Sequence, residues 1–164
     1  SSSFINFVFQ YFLMHYKNLQ YKIKEIINHD NLTINNRLVA VCEFLQNNIE
    51  YYDWVGFYLA NHKEKTLHLK AFAGEPTNHT VIPFGKGICG QVAVSNQNFV
   101  VGDVKAQDNY IACSIYVKAE IVIPLFKDGI NIGQIDVDSN STAPFSKKDE
   151  CFLEWINEQL VAIL

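Results

Sequence analysis

The chain has 164 residues, 49% of them apolar, including 12 Phe, 8 Tyr and 2 Trp. That length suits one domain and that content a sizeable core. A formal net charge of −4 without a Lys/Arg run argues against a nucleic-acid binder, and no run of about 18 apolar residues is present to span a membrane.

In chain order, the residues from Phe4 onward recur at helical spacing through Phe12, Tyr16, Leu19, Ile23, Ile26 and Ile27, which predicts a long first helix. Its apolar start either packs on the last helix or forms a dimer interface. Thr33 is placed to cap a second helix whose apolar face carries Leu38, Val41, Cys42, Phe44 and Leu45, with Cys42 as a small core residue. After Tyr51 the period changes. "DWVGFYLA" and "TLHLKAFAG" read as strands joined by the turn "NHKEK". A short helix is predicted over 88–96, then a short strand in "NFVVGDV" and an irregular segment up to Lys118. "AEIVIPLF" and "NIGQIDVDS" read as two strands of a hairpin turned by Asp128-Gly129. A last helix starts at Ser146, with Asp149 and Glu150 in its first turn and Cys151 as a structural residue. Short turns between neighbouring strands predict an α+β fold, a mainly antiparallel sheet flanked by N- and C-terminal helices. Residues 1–49 form a helical part packing on the sheet, and 51–164 carry the sheet, the site loops and the final helix.

Gly85, Gly87 and Gly90 spell G-x-G-x-x-G, but Pro83 interrupts the preceding strand and the next acid, Asp103, lies 13 residues past Gly90. The dinucleotide fingerprint needs a clean strand before the loop, an acid about 20 residues on and a parallel βαβ unit. The turn instead feeds a helix start, where backbone N–H groups attract an anion such as a ligand carboxylate. The same field lowers the pKa of a first-turn cysteine, so Cys89 is either buried filler or a reactive thiol.

Asp136 and Asp138 are two apart on a strand, and so share one face while Ile135 and Val137 take the other. Ile121, Ile123 and Leu125 likewise oppose Glu120. If the two strands pair, Glu120 comes close to Asp136 or Asp138. The trio is either a solvent-facing row or a polar pocket in which burial and like charge raise one pKa, leaving a proton donor at neutral pH. Cys113, in irregular sequence seven residues before Glu120, is a candidate thiolate. The four cysteines form no C-x-x-C pair and no zinc-spaced Cys/His cluster, and no His is placed to complete a metal site with the acids. The chain therefore reads as reduced and cytoplasmic, with no metal and no cofactor.

"DWVGFYL", "IPFGKGICG", "NYIACS", "AEIVIPLF" and "GQIDVDS", in this order over 51–152, resemble the free methionine-(R)-sulfoxide reductases, single-domain GAF-fold enzymes. The resemblance implies a thiol-dependent reductase of free methionine sulfoxide. It makes Cys113 the catalytic cysteine and Glu120, Asp136 and Asp138 the acids of the substrate pocket. It makes Trp54 and Tyr58 the aromatic wall and Cys89 a cysteine able to form a disulfide with the catalytic one. It implies thioredoxin or another thiol as reductant and a homodimer. Two positions depart from the family pattern. His79 stands where the family usually carries a resolving cysteine, ten residues before Cys89, and Ser114 replaces the acid of "IACD". His79 reads as a surface residue or as a group tuning a nearby thiolate. The alternative function is a non-catalytic GAF module that binds a small molecule as a sensor; a third reading is a scaffold that uses the apolar N-terminal segment.

Overall fold

The structure, a computed structural model, describes residues 2–112 and 114–164, with the backbone alone at 2, 3, 9 and 12. Helix α1 (Ser2–Ile27) and helix α2 (Ile34–Asn48) precede strands β1 (Trp54–Asn61), β2 (Thr66–Ala73) and β3 (Val81–Pro83). Helix α3 (Gly87–Ser95), strands β4 (Phe99–Val101), β5 (Ala119–Lys127) and β6 (Ile130–Ser139), and helix α4 (Lys147–Val161) follow. The six strands form one sheet in the order β3-β2-β1-β6-β5-β4, with every pair antiparallel. The predicted α+β class and its elements are all present. The third helix ends one residue earlier than expected, because Asn96 leaves helical geometry at φ 58° and serves as its C-cap.

One face of the sheet carries the large core. Val55 and Phe57 of β1, Ile121, Ile123 and Leu125 of β5, and Ile135 and Val137 of β6 meet α1, α2 and α4 there. Helix α2 starts where the Thr33 hydroxyl accepts the Asn36 N–H, and it buries Leu38, Val41, Cys42 and Leu45. Cys42 is the core residue its spacing predicts. Each such aliphatic side chain contributes roughly 1.5–3 kcal/mol of transfer free energy. Helix α1 packs on α2 and α4 through Leu19, Ile23 and Ile27, and the Tyr16 ring meets Phe152 edge-on at 5.4 Å. Its first half stays outside this core: Phe4, Ile5, Phe7, Tyr11, Leu13 and Met14 are exposed. No described helix is long and apolar enough to cross a membrane.

Helix α4 begins with a capping box, Ser146 and Asp149 each bonding the other's backbone N–H. The Asp149 carboxylate also accepts hydrogen bonds from the Tyr51 and Tyr52 hydroxyls at 2.8 and 2.9 Å, which ties the helix start to the chain entering β1. Cys151 corrects the sequence expectation. It is exposed and not part of the core, because the buried stripe of α4 runs through Phe152, Leu153, Ile156 and Leu160 and leaves position 151 on the water side.

The hairpin β5–β6 holds the feature that positions the site. Asp128 and Gly129 turn with φ of 51° and 78°, the two left-handed residues of a tight hairpin. From that turn Lys127 pairs with Ile130 and Phe126 with Asn131. Continued without a break, this ladder would set Glu120 opposite Val137. A bulge after Leu125 moves the register by one, so Leu125 faces Gly133 and Glu120 faces Asp138. Because opposed residues share a face, that step brings Glu120 out of the core and onto the face of the acids. The Asn131 side chain accepts the Gly133 N–H at 3.0 Å and closes the bulge. Gly133 is required there, since a Cβ would overlap the Tyr58 carbonyl oxygen of β1.

Gly133→Ala is therefore expected to cost about 3 kcal/mol, the upper range for overpacking against backbone. Urea unfolding checks this, and a loss under about 0.5 kcal/mol, the size of an ordinary surface change, would count against the close approach.

Candidate functional site

On the second face of the sheet the side chains lie in three cross-strand rows. Glu120, Asp138 and Trp54 form one, Val122, Asp136 and Gly56 the next, and Pro124, Gln134 and Tyr58 the third. Helix α3 covers this face with Ile88, Cys89, Val92 and Ala93. The acids are enclosed: Glu120 is 6% exposed and Asp136 and Asp138 are each 2% exposed. The solvent-facing alternative for the trio is thus set aside. Gly56 leaves room for the Trp54 indole, which lies above it where a Cβ would sit.

Cys89 points from the first turn of α3 straight at the acids. Its Sγ donates to Asp136 Oδ2 at 3.3 Å and lies 3.8 Å from Glu120 Oε1. Burial, then the charges of Asp136 and Glu120, push the Cys89 thiol well above its usual range. This overturns the expectation of a helix-lowered pKa: desolvation and carboxylates outweigh the helix terminus. Burial, Asp136 and Asp138 together push Glu120 well up, and burial with Asp136 and Asp53 does the same for Asp138. Asp136 is pushed up by burial to about 6, held down in part by the hydrogen bonds from Cys89 and Glu120. The site therefore stores protons on carboxyls at a pH where exposed carboxyls have lost them.

The predicted pocket is divided in two. A small cavity of about 20 Å³ is lined by Cys89, Glu120, Asp136, Tyr58 and His79. A wider cleft of about 510 Å³ is lined by Trp54, Asp138, Asp53, Glu75, Ser114 and Tyr116, among others, with no Lys, Arg or His. Trp54 and Tyr58 are both fixed by the loop after β2: the indole N–H donates to Glu75 O at 3.1 Å and the Tyr58 hydroxyl to His79 O at 2.9 Å. Trp54 also stacks on Phe72 at 5.9 Å. Cys113 lies outside the described residues.

The glycine turn is not an open anion cradle. Gly85 N–H donates to Gly90 O at 2.8 Å, Lys86 N–H to Pro83 O at 3.1 Å, and Gly87 N–H to the Asn109 side chain at 3.0 Å. Asn109 returns a bond to Gly85 O at 2.8 Å. The expected carboxylate subsite is thus replaced by internal bonds, with Asn109 in the position of the anion. Sequence reasoning missed Asn109, Asp53 and Gly56. Only Asn109, an Asn in "QDNY" beside a glycine turn, left any local signal.

These features can be set beside known proteins. The GAF domain family profile matches residues 33–164. The chain is similar to the GAF domain-containing protein A of Dictyostelium discoideum, 38% identical over 141 residues, or 86% of this chain and 87% of that one. It is 37% identical over 112 residues to the free methionine-R-sulfoxide reductase of Escherichia coli (strain K12), 68% of this chain and 66% of that one. The X-ray structure of free methionine-R-sulfoxide reductase from Neisseria meningitidis, in complex with its substrate, superposes with a TM-score of 0.82 at 35% identity, covering 90% of this chain and 86% of that one. The chain belongs to the free methionine-R-sulfoxide reductase family of GAF domains.

His79, expected from the resemblance to stand in place of a cysteine, has a structural role here. It is half-buried, not a free surface residue, and its Nε2 lies 3.1 Å from Ala112 O, which ties the loop after β2 to the segment leading to Cys113.

The raised carboxyls fix the sign of a pH dependence. Each binds its proton more tightly in the folded chain, so above about pH 4 the folded state holds more protons and stability falls as pH rises. For Asp136 this window closes near its value of about 6, and Glu120 and Asp138 contribute in the same direction. Glu120→Gln removes one such group, so its melting temperature is expected to gain on the wild type as pH is raised from about 4.5 through neutrality. Calorimetry across that range checks it; a constant difference would count against a buried protonated Glu120.

Proposed function

We propose that the chain reduces free L-methionine-(R)-sulfoxide to methionine. The observation that carries this reading is the enclosed trio Glu120, Asp136 and Asp138 beside the Trp54 wall. A sulfoxide sulfur becomes electrophilic when its oxygen is protonated, and a carboxyl kept neutral by burial can supply that proton. Glu120, the member facing both Asp138 and the Cys89 cavity, is the acid. The acidic cleft around Asp53, Glu75 and Asp138 suits the substrate ammonium, and the indole of Trp54 suits the S-methyl group.

The Cys113 thiolate attacks sulfur, the S–O bond breaks, methionine leaves, and the oxygen stays on Cys113 as a sulfenic acid. A second thiol then attacks the Cys113 sulfur, forming a disulfide and releasing water. Cys89 is the internal candidate. Asp136, ionised above about pH 6 and 3.3 Å from the Cys89 sulfur, is placed to take the thiol proton. With His79 at the usual resolving position, the other route is a thiol from outside. A dithiol such as thioredoxin returns the enzyme to its reduced form. The reaction as proposed calls on no cofactor and no metal, and a cytoplasmic, dimeric enzyme is the expected setting.

Incubation with free L-methionine-(R)-sulfoxide and dithiothreitol, with methionine as the readout, is expected to show turnover. Cys113→Ser should abolish it, and Glu120→Gln should lower kcat about a hundredfold or more, the size of a lost general acid. With thioredoxin as sole reductant, loss of turnover in Cys89→Ser would identify Cys89 as the resolver. No methionine from the wild type would sink the reductase reading and leave a sensor that only binds ligand.

A further inference from the structure

We propose that Cys89, Glu120 and Asp136 form a three-ligand site for Zn²⁺, whose occupation closes the pocket. One Sγ and one oxygen from each carboxylate lie within 4.8 Å of one another, all on buried residues. Zinc takes sulfur at about 2.3 Å and carboxylate oxygen at about 2.0–2.2 Å, so a tetrahedral site sets its S···O edges near 3.6 Å. The two edges here are 3.3 Å to Asp136 and 3.8 Å to Glu120, which bracket that value. The ligand atoms need only small shifts to surround an ion.

A second, independent feature points the same way. Asp136 Oδ1 has no hydrogen-bond partner among the described residues, although the residue is 2% exposed. Such an atom carries a desolvation cost that a cation would relieve. Asp136 lines a cavity of about 20 Å³, room for one small ion or water as the chain stands. No ion pair joins Glu120, Asp136 or Asp138 to a basic side chain among the described residues. Lys86, the one ammonium lining that cavity, is exposed.

The donor set decides the ion. One thiolate with two carboxylates suits a borderline ion, whereas Mg²⁺ and Ca²⁺ demand six or more oxygens. His79 also lines the cavity, but its ring nitrogens are not among the ligand atoms gathered within 4.8 Å of one another, so the fourth position is left to water. Binding replaces the thiol S–H bond by a Zn–S bond and the Glu120 O–H bond by a Zn–O bond, and both protons leave to solvent. No local motif marks this site, since its residues are spread over as many as 47 positions and show no metal spacing.

The test uses the full, reduced, EDTA-treated chain titrated with Co²⁺ without oxygen. The expected result is a near-ultraviolet sulfur-to-cobalt charge-transfer band, removed by added Zn²⁺ and missing in Cys89→Ser. Asp136→Asn should weaken binding by more than about tenfold. No such band in the wild type, or a band that survives Cys89→Ser, overturns the proposal. Should Cys89→Ser fail to fold, unchanged affinity in a folded Asp136→Asn overturns it as well. This readout is independent of turnover. Metal binding without reductase activity would refute the proposed reaction and leave the site; turnover that shows no binding and is insensitive to Zn²⁺ would do the reverse.

Discussion

Three carboxyl groups share one dry patch of sheet without a neighbouring guanidinium, and the rest of the site depends on that crowding. Like charges at this range cannot all persist in a low dielectric, so protons remain where solvent-exposed acids would have lost them. The crowding is imposed by covalent order. Asp136 and Asp138 alternate with core residues on β6, and the bulge on that strand brings Glu120 alongside them. The energetic cost falls on one face of the sheet and is offset by the apolar contacts of the other, where three helices cover β1, β5 and β6. A residue that strengthened that core without moving the register would leave the acids as they are.

Helix α3 and the loop after β2 enclose the patch from opposite sides. The helix presents a cysteine and small or branched residues, which lets its backbone approach the acids closely. The loop offers backbone carbonyls, and these hold Trp54 and Tyr58 by their polar ends. Both aromatic side chains are thus fixed at the rim by a hydrogen bond and at the base by packing. In the glycine turn the Gly85, Lys86 and Gly87 N–H groups are satisfied internally, which anchors the start of the helix.

Much of this was legible in the residues. Hydrophobic patterning located helices α1 to α4 and strands β1, β2, β4, β5 and β6, though not the short edge strand β3, and two-residue alternation put Asp136 and Asp138 on one face opposite Ile135 and Val137. The Asp128-Gly129 turn announced the hairpin. What a linear reading could not supply was the bulge, because a single inserted residue, Ile132, changes facing partners without changing composition. It also could not weigh opposing electrostatic effects on Cys89. Helix position pointed to a lowered pKa, and only the enclosure by three acids, formed through contacts 31 and 47 residues apart, reverses that sign. The division of the pocket and the clamp of Asn109 on the glycine turn are likewise long-range features. Five matching segments carried the family, while its fit to this chain at His79 needed the fold.

The sheet ends at both edges in strands of three residues, β3 and β4. Such an edge presents only two or three unpaired backbone groups, and on one side Pro83 has none to donate. A neighbouring chain therefore finds little template for extending the sheet, either as an ordered assembly or as an aggregate. The described apolar side chains at the start of α1, Phe4, Ile5, Phe7, Tyr11, Leu13 and Met14, are by contrast exposed on a helix. Short edges thus divide the labour of the fold. The sheet carries the site, and exposed apolar side chains sit on a helix start that can change without disturbing it.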